Sequence, residues 1–306
     1  MSFYDALVLV SFGGPEGPDD VIPFLENVTS GRNVPRERLA AVAEHYYRFD
    51  GISPINRQCR ELQAAIAADF AAHGLNIPVY WGNRNWAPYL ADTVRELRAA
   101  GIRRAAAFVT SAYSGYSTCD QYLEDIARAR AQVPGAPEID KLPVYCRHPG
   151  FIEPFVQATK EALTRVPDGA HVVFTAHSVP LAQPGQDRYA AELAEVAETV
   201  RAGAAPRNPW SLVYQSRSGP PTQPWLEPDI GDHLEKLRGE GVAAVVVVPI
   251  GFVTDHMEVK YDLDVEAAEQ AARLGMTFER AATPGTHPRF VSMVRELFRE
   301  AAPPHR

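Results

Sequence analysis

The run AAVVVVPIGF (residues 243–252) decides the fold of this 306-residue chain. It is apolar almost throughout, without the alternation of a strand that has one wet face, so it predicts a strand buried on both faces. Such strands occur in parallel sheets covered by helices on both sides. The run leads directly into VTDHMEVKYDLDVE (253–266), with a histidine and five acidic residues. Ligands collect beyond the carboxyl ends of parallel strands, so this junction is a candidate functional site.

Seven further short runs, most of them rich in apolar residues, predict strands, and helical patterns separate them. They are ALVLVSF (6–12), PVYWG (78–82), AAAFVTSA (105–112) and LPVYC (142–146) in the first half, and HVVFTAH (171–177), SLVYQSR (211–217) and TFERAATP (277–284) in the second. The helical patterns between the runs are RLAAVAEHYYRF, RELQAAIAADFAAHG, LADTVRELRAAG, FVQATKEALTRV, YAAELAEVAETVRAG, DHLEKLRGEG and VEAAEQAARLG. Alternating strands and helices indicate an α/β fold. We predict two Rossmann-like doubly wound halves, each a four-stranded parallel sheet flanked by helices, with domains at 1–155 and 156–306.

Composition narrows the classes of partner and compartment. The net charge of −8 argues against nucleic acid, which is bound by basic surfaces. No leader pattern and no stretch of about 20 apolar residues is present, so we expect a cytoplasmic protein without a membrane span. Cys59, Cys119 and Cys146 lie far apart. They predict reduced thiols and no iron–sulfur cluster, since such a cluster usually takes four protein ligands.

His177 closes the run HVVFTAH, where a strand gives way to a loop. A histidine at this place can bind a metal or act as a general base. It can also be an ordinary histidine packed at a sheet edge. The residues alone leave both interpretations open.

Glu258, Asp262 and Glu266 recur every four residues after the long apolar run. On an α-helix they would fall within about 80° of one face and span about 12 Å. A solvated helix face is one interpretation, although like charges at this spacing repel. The other is a line of carboxylates that holds a hard cation or relays protons.

The motifs together resemble those of ferrochelatases along most of the chain. The matching segments, in order, are LVSFGGPEGPDDVIPFLENV, GISPIN, GNRNWAPY, TSAYSGYSTCDQY, TAHSVP, YQSRSGPPTQPWLEPD and GFVTDHMEVKYDLD. The sequences of these motifs are most similar to those of the actinobacterial branch. The resemblance implies insertion of Fe(II), a substrate, into a porphyrin with release of two protons. For that branch it implies coproporphyrin III, and we expect a monomer in haem biosynthesis.

The resemblance also assigns roles at the candidate metal site. The metal-binding histidine of the family falls on His177 and the catalytic glutamate on Glu258. Asp262 and Glu266 match the acidic ladder that leads away from this glutamate as a metal or proton path. We place His177 and Glu258 at opposing positions about the ring centre, where one binds iron and the other takes a proton.

Five further residues match positions in the family's porphyrin pocket. Ser53 and Tyr122 fall where the porphyrin carboxylates are held, and Tyr46 falls at another pocket position. Arg84 falls where members carry a basic residue. Phe12 stands where some members have a tyrosine that ligates the product iron, so axial ligation from this loop is not expected here.

Other positions depart from family patterns. Thr29 and Ser30 replace paired arginines of some members, with Arg32 nearby, and His45 stands where one relative has arginine. The end AAPPHR lacks the three cysteines with which actinobacterial relatives often complete an iron–sulfur cluster.

Four rival functions stay open at this point. A protoporphyrin IX ferrochelatase and a cobalt or nickel chelatase would share the fold. A non-catalytic haem carrier would need a stable axial ligand and no proton route, so the acidic ladder argues against it. A two-domain glycosyltransferase fits the number of strands, but no nucleotide-binding loop supports it. The iron donor and the acceptor of the product cannot be inferred from the sequence.

Overall fold

The computed structural model describes residues 3–31, 34–116, 119–219 and 222–301. Contacts divide the chain into two compact units. The first comprises the chain up to Thr110, Asp120–Pro143 and the chain from Val291. The second comprises Ser111–Cys119 and Val144–Phe290. The division into domains at residues 155 and 156 stays a prediction.

The first unit is built on a four-stranded parallel sheet. Its strands are β1 (Ala6–Ser11), β2 (Val79–Asn83), β3 (Arg104–Val109) and β4 (Glu138–Lys141), in the order β2-β1-β3-β4. The helices are α1 (Val21–Val28), α2 (Arg36–Tyr47), α3 (Ile55–Ala72), α4 (Leu90–Ala99) and α5 (Asp120–Ala131), and a 3₁₀ turn precedes α1 at Pro18–Asp20.

The second unit repeats this strand order. Strands β5 (His171–His177), β6 (Trp210–Gln215), β7 (Ala244–Val248) and β8 (Thr277–Arg280) form a parallel sheet in the order β6-β5-β7-β8. The helices are α6 (Pro149–Leu163), α7 (Gln186–Ala204), α8 (Ile230–Gly239), α9 (Met257–Lys260) and α10 (Ala268–Arg273), with a π-helix at Asp262–Ala267 between the last two. Helix α11 (Pro288–Glu300) ends the described chain apart from one residue.

The central strands are apolar because helices cover both of their faces. All residues of β1 and β7 are buried. In the first unit Val8 and Val10 belong to a core with Val94 of α4. In the second unit Val245 packs in a core with Leu234 of α8. The predicted fold class, two doubly wound parallel sheets, is confirmed.

The prediction of the fourth strand was wrong in position. The apolar run LPVYC was expected to form it, but the strand is the preceding segment EIDK at Glu138–Lys141. This strand lies at the edge of the sheet, so it needs only a partly buried face, and Asp140 pairs with Arg104 of β3 at 2.6 Å. Pro143 has no N–H to continue the ladder. Leu142, Tyr145 and Cys146 are apolar because they are buried in packing.

The end of α11 completes the core of the first unit. The ring of Phe298 lies 5.2 Å from that of Phe70 on α3 and 5.7 Å from that of Tyr4. Arg295 is largely buried and lies 3.2 Å from Asp69. The predicted helical patterns did not include this helix, nor α1 and α5.

Among the described residues, no helix is both long and apolar enough to cross a membrane.

Candidate active site

His177 and Glu258 form a direct pair in the second unit. His177 ends β5, and Glu258 lies in α9, which follows β7. His177 Nε2 is 3.2 Å from Glu258 Oε1. His177 Nδ1 carries a hydrogen, because it contacts the carbonyl oxygen of Ser178, which can only accept. The exposed fractions of the two side chains are 31% and 43%, so a ligand can reach both.

The pair shifts the pKa of each partner toward the charged form. Burial acts to lower the pKa of His177, but the Glu258 carboxylate and the Ser178 carbonyl raise it well above its ordinary value. Burial acts to raise the pKa of Glu258, but His177 lowers it well below the ordinary range. The pair is therefore an imidazolium and a carboxylate near neutral pH. A metal ion that binds the imidazole must displace its proton.

The sheet and its helices fix the backbone of both residues. His177 lies level with Gln215 in the pairing of β5 with β6. The Gln215 amide N–H donates to the backbone carbonyl of Glu258. The hydroxyl of Tyr189, on α7, donates to the backbone carbonyl of His177 at 3.1 Å. Neither Tyr189 nor Gln215 was predicted as a site residue, although Gln215 lies within the strand-end motif YQSRS.

Asp262 lies near this pair and has a raised pKa. Burial and the charges of Glu258 and Glu266 raise the pKa of Asp262 to about 7, against the opposing effects of Ser216 and His177. The Ser216 hydroxyl donates to Asp262. Ser216 has a φ of 63°, a left-handed conformation that is uncommon outside glycine. Such strain is common at functional sites. Glu266 is exposed, as the interpretation of a solvated helix face requires.

The acidic ladder does not lie on a regular α-helix, as the sequence analysis assumed. Only Met257–Lys260 is α-helical, and Asp262–Ala267 is a π-helix. The Glu266 N–H donates to the Tyr261 carbonyl, an i to i+5 bond of 2.9 Å. Period counting misses such a turn because the sequence pattern of a single π turn is that of an α-helix.

His256 is a third titratable group at the pair and was not predicted as a site residue. It caps α9, with Nδ1 accepting from the Glu258 N–H at 3.3 Å. The same nitrogen lies 3.8 Å from Glu258 Oε2. Burial lowers the pKa of His256, so its imidazole is mainly neutral. Within the residues that the structure describes, no group of three or more His, Cys, Asp or Glu side chains is arranged to hold a metal.

Phe12, Arg84 and Tyr122 meet in the first unit. The Arg84 guanidinium carbon lies 4.7 Å from the Tyr122 ring centre and 5.8 Å from that of Phe12. Arg84 also pairs with Asp125 and is only 8% exposed. Its charge is thus already matched by a carboxylate. The exposed fraction is 4% for Tyr122 and 37% for Phe12.

The other two predicted pocket residues lie nearby in the same unit. The Tyr46 ring packs against Phe24 at 5.9 Å, and Phe24 packs against Phe12 at 6.2 Å. Ser53 is buried, and its N–H donates to the Pro15 carbonyl at 2.9 Å. The structure therefore brings Phe12, Tyr46, Arg84 and Tyr122 together through one aromatic cluster. Arg32 lies outside the described residues.

A buried polar network shapes the loop after β1. Ser11, Asn56 and Asn83 are fully buried. The Ser11 hydroxyl donates to Asn83 Oδ1, whose amide donates to Asn56 Oδ1 at 3.2 Å. Asn56 Oδ1 also accepts from the Gly14 N–H at 3.2 Å. These residues were not predicted as a group, although each lies within a motif that the sequence analysis quoted.

The family of the chain follows from its similarity to known proteins. The sequence profile of the ferrochelatase family matches residues 4–302. A coproporphyrin III ferrochelatase from Frankia alni is 56% identical over 98% of this chain and 80% of the relative. One from Mycolicibacterium smegmatis is 55% identical over 100% of this chain and 93% of the relative. One from Streptomyces griseus is 52% identical over 98% and 86%. The predicted actinobacterial likeness is confirmed.

Solved structures with low sequence identity show the fold. CbiX, described as the terminal enzyme of siroheme biosynthesis in denitrifying bacteria, superposes with a TM-score of 0.57 at 18% identity, over 97% of this chain and 99% of that one. SirB from Bacillus subtilis, with Fe³⁺, gives 0.58 at 14% identity over 95% and 94%. Together with the family profile and the close relatives, this architecture leads to one conclusion: the chain belongs to the ferrochelatase family.

Proposed function

We propose that this chelatase inserts Fe(II) into coproporphyrin III and releases the two pyrrole protons. The observation that carries the proposal is the contact between His177 Nε2 and Glu258 Oε1 at the carboxyl ends of a parallel sheet. The pair combines a metal-binding nitrogen with a proton-accepting carboxylate. The names of the three relatives above, at 52–56% identity, support coproporphyrin III as the substrate.

The contact constrains how the pair can act. Since the reacting atoms are 3.2 Å apart, a porphyrin plane cannot lie between them in this arrangement. We therefore revise the opposing placement that the sequence analysis assumed, and propose that both groups act from one side of the ring. Loss of the Nε2 proton to solvent frees His177 to bind Fe(II). Glu258 then accepts the two pyrrole protons in turn, passing on the first before it takes the second. Binding energy from the rest of the macrocycle would hold it bent, which exposes its nitrogen lone pairs.

We propose Asp262 as the next proton acceptor beyond Glu258, with Glu266 outermost. A pKa of about 7 lets Asp262 both take and release a proton near neutral pH, and Glu266 is exposed to water. The exposure of Glu266 also fits a plain solvated acid, so the proposal rests more firmly on Asp262.

We propose that the first unit supplies contacts to the macrocycle. Phe12 is exposed and offers an apolar face to a ligand. Its ring packs against Phe24, which also packs against Tyr46. The Arg84 guanidinium lies near the rings of both Phe12 and Tyr122. Ser53 would donate to a porphyrin carboxylate. Arg84 supports such binding by orienting Tyr122, since Asp125 already holds its guanidinium.

The test is an anaerobic metallation assay. Fe(II) is mixed with the enzyme and coproporphyrin III, and in parallel with protoporphyrin IX, while the Soret band is followed. We expect metallation of coproporphyrin III to be the faster of the two. Faster metallation of protoporphyrin IX would transfer the proposal to that substrate. Absence of metallation with both would refute it, and the same assay with Co(II) or Ni(II) would identify the rival chelatases.

Three finer statements stay predictions. They are a monomeric enzyme, a cytoplasmic location and the lack of an iron–sulfur cluster. Size-exclusion chromatography with light scattering tests the first. Iron and sulfide analysis of anaerobically purified enzyme tests the third.

A further inference from the structure

Arg280, the last residue of β8, binds two carboxylates of the segment that carries Glu258. Its Nη2 lies 3.1 Å from Asp255 Oδ2 and 3.1 Å from Asp264 Oδ2. Its Nη1 lies 3.3 Å from Asp255 Oδ1, and its Nε–H donates to Asp264 Oδ1. One guanidinium thus joins a residue that precedes α9 to a residue inside the π-helix.

This cluster is shielded from water and balanced in charge. The side chains of Arg280, Asp255 and Asp264 are 15%, 17% and 23% exposed. Lys260 also pairs with Asp264, so two cations face two carboxylates. A planar guanidinium suits this task because its donors diverge in a fixed fork. Loss of the arginine would remove the guanidinium contacts of two shielded carboxylates, which is strongly unfavourable.

Four acids of the segment divide into two pairs with different partners. Asp255 and Asp264 bind Arg280 and hold the segment to β8. Glu258 binds His177 and Asp262 binds Ser216, at the ends of β5 and β6. The segment is therefore fixed from two directions. Since π-helices are rare and short, we attribute this one to tertiary contacts of this kind.

We propose that Arg280 is a positioning residue for metallation: by holding Asp255 and Asp264 together, it keeps Glu258 within hydrogen-bond reach of His177. Arg280 acts through Glu258 and contacts neither member of the pair. The inference rests on the proposed function, since it gives Arg280 its role through a residue of that site.

The test compares Arg280→Gln with a matched change at another arginine that contacts the same strand. We expect Arg280→Gln to lower kcat by about 10- to 100-fold, in line with small displacements of catalytic groups. The Kd for coproporphyrin III, measured from the Soret shift without iron, should stay within about twofold. Arg280→Lys should restore kcat only in part, because a single ammonium cannot bind both carboxylates as the guanidinium does. The control Arg165→Gln removes an exposed partner of Glu279, the neighbour of Arg280, and should keep wild-type kinetics.

Further variants separate this inference from the proposed function. If Arg280→Gln does not fold, Asp255→Asn and Asp264→Asn each weaken one arm, and a lower kcat with unchanged porphyrin Kd in both supports the inference. Wild-type kcat in Arg280→Gln, or in both aspartate variants, overturns it. Equal losses in kcat and in porphyrin affinity also overturn it, since they indicate general damage. Glu258→Gln, assayed in parallel, tests the proposed function alone, because wild-type turnover there removes Glu258 from the chemistry.

Discussion

Replacing Glu258 by glutamine should lower the pKa of His177 and nearly abolish turnover. The change keeps the size of the side chain but removes the negative charge 3.2 Å from Nε2. Coulomb attraction at this distance is about 1.3 kcal/mol in water and about 5 kcal/mol at an effective dielectric constant of 20. Since 31% and 43% of the side chains are exposed, solvent screening favours the lower figure. The pKa of His177 should fall by about 1 to 2.

The assay is an NMR titration of histidine ring protons, with the His177 signal assigned from a His177→Asn variant. Glu269→Gln, an exposed glutamate on α10, is the control and should leave the pKa of His177 unchanged. The turnover of Glu258→Gln should fall by about 10²- to 10⁴-fold, the usual contribution of a general base. Porphyrin binding should stay nearly intact. An unchanged pKa of His177 would show that the contact does not set the charge state of the pair. Wild-type turnover would refute the role of Glu258 as a proton acceptor.

The pair also links stability to pH, with a sign that can be checked. A raised pKa of His177 stabilises the folded chain fully below the unfolded value of 6.5, and this contribution is lost as pH rises through the folded pKa. Glu258 has a lowered pKa, so its contribution is present above 4.5 and is lost as pH falls through the folded value. Urea unfolding of Glu258→Gln should therefore show its largest deficit between about pH 4.5 and 6.5.

Three other perturbations give distinct outcomes. Asp262→Asn should remove a limb near pH 7 from the pH profile of kcat and lower kcat by about tenfold, measured by metallation rates from pH 6 to 9. Gly14→Ala would place its Cβ 2.7 Å from Ser53 Cβ, so it should raise the KM for porphyrin and cost about 1–3 kcal/mol in urea unfolding. Gly17→Ala, with nothing within 4 Å, should do neither. His171 is buried and burial lowers its pKa to about 4, so stability should fall as pH drops from 6.5 to 4, by about 3 kcal/mol at most. His171→Gln should flatten this dependence in acid unfolding.

Much of the fold could be predicted from the sequence because buried parallel strands leave a strong signal. The valines of β7 and the alanines of β3 make both faces of their strands apolar, so helices must cover both faces. The position of the edge strand β4 was predicted wrongly because only one of its four residues is buried, while the apolar run beside it is buried in packing. Apolar content indicates burial, and burial is not the same as strand pairing.

The candidate site was predicted less evenly. His177 ends one strand and Glu258 follows another, so their positions at one sheet edge could be inferred. Arg280 lies 22 residues beyond Glu258 and ends a short, half-buried strand, so only the folded chain brings it to Asp255. The π-helix could not be predicted from the sequence either, because its hydrogen bonding and not its residue pattern distinguishes it from an α-helix.

The packing of Phe298 on Phe70 and Tyr4 has a consequence for how the chain is made. During synthesis, residues near position 4 leave the ribosome long before residue 298 exists. The core of the first unit therefore stays open on that side until α11 has emerged, and its aromatic surface is exposed to chaperones or to other nascent chains. Emergence of α11, more than that of either sheet, is the event that lets Tyr4 and Phe70 become fully covered.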